Sequence, residues 1–90
     1  MKAIVSVLGH DRPGIVATVS AVLYEAGANI LDLSQTVMGN EVFSMTMWVD
    51  LQGCTVSFSV LKENLETAGR NLGMEVRIQR EEIFNTMYRV

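Results

Sequence analysis

Residues 9–15 read Gly-His-Asp-Arg-Pro-Gly-Ile and hold the chain's single histidine and single proline. Three chemistries deserve testing against them. His10 and Asp11, with Asp32 further along, are of the types that ligate a metal or exchange protons. A catalytic metal usually takes three protein ligands, however, and no HxH or HxxxH spacing accompanies His10. His10 therefore reads as a solvated loop residue, and no metal is expected. Cys54 is the only cysteine, so it forms no intramolecular disulfide, CxxC redox pair or thiolate cluster, and small apolar filling is its ordinary role. The third chemistry needs no titrating catalyst. If a helix opens near Gly14 and Ile15, its free backbone N–H groups lie at the positive end of the macrodipole and donate to a carboxylate. Gly14, with no Cβ, lets a ligand come close. Asp11, just ahead, either caps those N–H groups or faces the ammonium of an amino acid.

For such a loop to work, a strand must end and a helix begin around it. Residues 2–8, KAIVSVL, are rich in β-branched side chains and stop at Gly9, as a buried strand would. From Pro13 the period changes: Ile15, Val16, Val19, Val22, Leu23 and Ala26 recur at helical spacing, with Pro13 suited to the first turn and Gly27 to a C-terminal left-handed position. Residues 29–38 and 41–50 form the arms of a hairpin turning at Gly39-Asn40. In the second arm Phe43, Met45, Met47 and Val49 alternate with Ser44, Thr46, Trp48 and Asp50. In the first arm Ile30 has the wrong parity to share a face with Leu31, Leu33 and Val37, which calls for a bulge beside Asn29. Thr55 is a plausible cap for a second helix carrying Phe58, Leu61, Leu65, Ala68 and Leu72 on one stripe, closed by Gly73. A last strand, 74–80, turns Met74, Val76 and Ile78 inward. The tail places Ile83, Phe84, Met87 and Tyr88 at helical spacing. Ten residues are marginal as a helix in water, so this tail must dock on its own domain or on a partner's.

The order β-α-β-β-α-β, with a short C-terminal helix, fits an α+β ferredoxin-like sandwich: a four-stranded antiparallel sheet with both helices on one face. Its boundaries are residues 1–80 for the domain and 81–90 for the amphipathic tail. The sheet would leave one face, including Ser6, Ser34 or its neighbours, Thr46, Trp48 and Arg77, and two edges uncovered. A homodimer that covers this face or continues the sheet is the expected remedy.

Bulk properties narrow the partners. Among 90 residues, seven Lys and Arg against ten Asp and Glu give a net charge of −3, and no basic stripe is present to release counterions from nucleic acid. No apolar run approaches the roughly 18 residues of a membrane span, and MKAIVSVLG lacks the long apolar region and cleavage site of a signal peptide. A cytoplasmic protein is expected, with no direct nucleic-acid or membrane partner and no cofactor. Within the fold, a soft-metal chaperone would need paired cysteines in the first loop, which GHDRPG lacks. An RNA-binding sheet would need stacking aromatics over a basic surface, where this chain offers Trp48 alone. Acylphosphatase-like catalysis needs an arginine in the first loop and an asparagine to position water. Arg12 and Asn29 or Asn40 supply the types, but the Phe-Arg pair of such enzymes is missing.

DRPGIV after the first strand and EAGANI at the end of the first helix together resemble the ACT domain family, over about residues 1–80. With a tail such as IFNTMYRV, the chain is similar to small stand-alone ACT proteins and to the ACT domains of the glycine-cleavage repressor. The resemblance implies a non-enzymatic regulatory module that binds an amino acid or similar small metabolite at a homodimer interface. The ligand would lie between the first loop and helix of one subunit and the start of the second strand of the other. Carried over motif by motif, the binding positions are Asp11, Pro13, Gly14, Ile15 and Asn29. Asp11 departs from amino-acid-binding members that have asparagine there: a carboxylate favours an ammonium and repels a nearby carboxylate. The alternative is a ligand-free interaction module whose tail docks a regulator or metabolic enzyme.

Overall fold

Alternation decides the sheet. In the computed structural model, which describes residues 1–82, strand β1 (Lys2–His10) buries Ala3, Val5 and Val7 and turns Ile4, Ser6 and Leu8 the other way. Strand β3 (Val42–Asp50) does the same with Phe43, Met45, Met47 and Val49, and β4 (Met74–Arg80) with Met74, Val76 and Ile78. With β2 (Asn29–Met38) they form one antiparallel sheet in the order β2-β3-β1-β4. Helices α1 (Ile15–Ala26) and α2 (Phe58–Leu72) close the inner face, and Val19, Leu23, Leu61 and Leu65 join the strand residues in one core. The expected ferredoxin-like sandwich is what the chain adopts. Of the C-terminal helix expected in residues 81–90, residues 83–90 lie outside the described residues.

Several local expectations change. Helix α1 starts at Ile15 with Gly14 as its N-cap, so Pro13 precedes the helix rather than occupying its first turn. Helix α2 is capped by Ser57, whose Oγ accepts from the Val60 N–H at 3.2 Å, and not by Thr55. The Thr55 N–H instead donates to the Ala26 carbonyl at 2.9 Å, tying this loop to the end of α1. Between β2 and β3 the loop has three residues, not two: the Glu41 N–H donates to Met38 O at 2.8 Å and Glu41 itself is left-handed at φ 60°. That is the three-residue hairpin pattern, a turn followed by a left-handed residue. The bulge near Asn29 is present, with a register shift between Ile30 and Asp32. It sets Ile30, Leu33 and Val37 opposite the inward Val49, Met47 and Phe43, while Leu31, expected inward, becomes the extra residue and stays exposed.

Two packing features shape the two ends of the sheet. Gly69 of α2 lies so close to β4 that a Cβ there would sit 2.6 Å from Val76 Cγ2 and 2.9 Å from Met74 O. At the other side of the sheet, β2 contains no buried residue, although β1, β3 and β4 each contain three or more. The helical layer therefore covers β3, β1 and β4, while on β2 Ile30 and Leu33 pack only partly against the core and the inward register of its far end, Gln35 and Val37, overhangs.

Candidate functional site

The Asp11–Ile15 loop sits beneath that overhang. Its backbone is fixed at Gly14, φ 87° and ψ 2°, a left-handed conformation that glycine adopts without the penalty of a Cβ. The first intrahelical bond is Thr18 N–H to Gly14 O at 2.9 Å, so the N–H groups of Ile15, Val16 and Ala17 have no acceptor within the helix. No side chain caps them and no acidic residue lies in the first turn. Asp11, one candidate for that cap, is exposed and leaves the helix end open. Its backbone N–H donates to Glu41 O at 2.8 Å, which fastens the loop to the tip of the β2–β3 hairpin. His10 faces the same residue, with Nε2 3.7 Å from a Glu41 carboxylate oxygen and both side chains mostly exposed.

Opposite the open helix end, Gln35, Thr36 and Val37 of β2 and Phe43 of β3 complete a cleft of about 450 Å³. Its helix wall is Gly14, Ile15, Val16 and Ala17, and Asp11 and Arg12 stand at its mouth. A Cβ at Gly14 would meet no atom within 4 Å, so the space beside it is open to a ligand. Arg12 also reaches across to α2, with Nη1 3.4 Å from Leu72 O at the helix's C-terminal end. The cleft thus pairs unsatisfied N–H donors with an amide, a hydroxyl and an apolar floor. Those groups suit a small polar molecule with one anionic end.

Asp11, Gly14 and Ile15 line this cleft, and Pro13 is an exposed residue of the same loop. Asn29 does not join them within one chain. It pairs with Asp50 at the opposite end of β2, and α1, about 18 Å long at 1.5 Å per residue, runs between the two places. Within one chain the bulge beside Asn29 therefore lies away from this crevice; the sequence reading places Asn29 in it from the other subunit. Gln35 and Val37 were missed. The signal was there in the alternation Leu33, Gln35, Val37: a polar residue in the inward register marks where an apolar face loses its cover.

Elsewhere the chemistry is sparse. Among the described residues no three His, Cys, Asp or Glu side chains gather as a metal site would require. Cys54 is partly buried, and burial together with the nearby Asp50 carboxylate pushes its thiol pKa upward, away from the reactive thiolate. Among the described residues no helix is long and apolar enough to cross a membrane.

Comparison with known proteins converges on one family. Residues 2–79 match the ACT domain. The UPF0237 protein of Methanocaldococcus jannaschii is 52% identical over 89 residues, covering 99% of this chain and 98% of that protein. An ACT domain protein from Streptococcus pneumoniae superposes with a TM-score of 0.81 at 42% identity, covering 98% of each chain. A structure assigned as a glycine cleavage system transcriptional repressor gives a TM-score of 0.76 at 24% identity, over 88% of this chain and 44% of that one, a likeness of fold alone.

Proposed function

This chain belongs to the ACT domain family, and from that membership we propose a non-catalytic regulatory module whose homodimer binds an amino acid or similar small metabolite. The observation that carries this reading is β2. It is an edge strand of ten residues with Asp32 as its only charge, no proline and no buried side chain. Unprotected edges of that length pair with another strand. The other edge, β4, carries Glu75, Arg77 and Arg80 within seven residues and is better guarded.

Antiparallel pairing of two β2 strands about a two-fold axis explains why Asn29 and the loop are apart in one chain. The two ends of β2 exchange places across the axis, so Asn29 of the partner subunit comes beside the Gln35–Val37 end that floors the cleft. The free N–H groups of Ile15 and Val16 then receive the ligand carboxylate, and Asn29 accepts from its ammonium or donates to its carboxylate. Asp11 at the mouth adds a preference for a cationic or amino group. Pro13 holds the loop's approach to Gly14.

Titration calorimetry with a panel of amino acids, on protein whose mass is followed by light scattering, tests the reading. A dimer is expected that binds at least one of them, and Asn29→Ala is expected to weaken binding roughly tenfold, the equivalent of one hydrogen bond to a charged group. A dimer that binds none of the panel removes the ligand; a monomer that binds removes the shared site.

A further inference from the structure

The bulge in β2 sets free one large apolar side chain. Leu31 has no partner on β3, because Ile30 pairs with Val49 and the next pair is Asp32 with Trp48. It is 39% exposed, and Val37, further along the same strand, is 55% exposed. Among the described residues, three of the seven exposed large apolar side chains lie in this one edge strand: Leu31, Val37 and Met38. Val37 pairs with Phe43 and both line the cleft, so the apolar floor runs outward to the open edge and stops there.

Parity limits how a second β2 can join that edge. Residues directly opposite each other in an antiparallel pair project to the same face. A two-fold axis normal to the sheet keeps inward sides together, so it passes where a β2 residue faces its own copy. Leu33, Ser34 and Gln35 are the choices that keep most of the ten-residue strand paired. About Leu33, Val37 would meet the partner's Asn29, and Leu31 would meet a polar Gln35. About Gln35, Val37 would meet the partner's Leu33, and Leu31 would fall opposite the turn at Gly39. Only about Ser34 do the exposed Leu31 and Val37 face each other, twice by symmetry. Asp32 then faces the partner's Thr36, and its carboxylate stays clear of its own copy.

We infer, building on the shared ligand site proposed above, that β2 pairs about Ser34 and that the partner's Leu31 extends the cleft floor beyond Val37, making the site selective for an amino acid with an apolar side chain. Phe43, Val37 and the partner's Leu31 then form one row across three strands. Asn29 of the partner subunit falls two residues beyond, towards the hairpin tip. Leu31 is idle in its own subunit and acts in the other.

L-valine and glycine are the probes, since they differ in the side chain that would reach this floor. In titration calorimetry the wild-type dimer is expected to prefer L-valine. Leu31→Ala is expected to cut the ratio of L-valine to glycine affinity about tenfold, the effect of roughly two buried methylene groups. Register is read separately, by cross-linking in a Cys54→Ser background. Opposite residues of an antiparallel pair have Cα atoms about 4.5–5.5 Å apart, inside the disulfide range. Leu31→Cys combined with Val37→Cys is expected to oxidise to a covalent dimer. Leu31→Cys alone is not, because its copy lies about 20 Å away along the strand. A dimer that fails to cross-link in the double variant overturns the register. An unchanged affinity ratio in Leu31→Ala, or a wild-type dimer that does not bind L-valine, overturns the role of Leu31 while leaving the shared site in place for other amino acids. A monomer, by contrast, removes the shared site itself and Leu31 with it.

Discussion

At Gly14 the backbone is committed before any side chain is consulted. A φ of 87° costs a residue with a Cβ roughly 1–2 kcal/mol, and since nothing lies within 4 Å of the missing Cβ, that cost is purely conformational. Gly14→Ala is therefore expected to lower stability by about 1–2 kcal/mol in urea denaturation, with Gly14→Asn losing less because asparagine tolerates the left-handed region. Part of this was legible, since a glycine just ahead of an apolar 3.6 period is a helix-start signal. The fate of Asp11 was not: an aspartate at that position satisfies either a helix end or something outside it, and only the Glu41 carbonyl, 30 residues away in sequence, shows where its backbone is engaged. The choice of Ser57 over Thr55 was equally hidden. Both are capping types two residues apart, and the Thr55 N–H is claimed by the end of α1.

Among the elements, parity and period transferred almost unchanged. Strands β1, β3 and β4 bury the residues their alternation selects, and the stripe of α2 faces inward at Leu61, Leu65 and Ala68. Gly69 escaped notice because no periodicity marks it; its role appears only when α2 is laid on β4. A Cβ at Gly69 would overlap the Val76 side chain and crowd the Met74 carbonyl, and the latter belongs to a strand fixed by pairing with β1. Gly69→Ala is expected to destabilise by about 1–3 kcal/mol, the usual cost of overpacking, despite the better helix propensity of alanine. The melting temperature checks it: an increase would mean that α2 slides freely on the sheet.

For the molecule as a whole, the decisive asymmetry is between its two sheet edges. The sequence announced an uncovered face and two edges but not which edge lacks cover, because strand order across the sheet is a tertiary fact. With β2 outermost and the inner side of its Gln35–Val37 end overhanging, the dimer proposed above would make the cleft half a site in one chain. Ser34 lies near the middle of β2, where two copies paired antiparallel meet at the axis. Ser34→Lys would set two like charges close together there, and is expected to yield a folded monomer that has lost ligand affinity. A dimer of unchanged mass in light scattering would move the interface elsewhere. Asn29 then becomes intelligible: a residue identified by motif, yet remote from its supposed neighbours, is what a shared site looks like from one half.

The hydrogen bond from the Asp11 amide to Glu41 has a kinematic meaning as well. It joins the Asp11–Ile15 loop to the hairpin tip, so displacing either one from the other breaks a backbone hydrogen bond. Lengthening the β2–β3 stem by a residue pair would carry the tip past the loop and strand that amide. Hairpin length and the seat of the Asp11–Ile15 loop are thereby geared together.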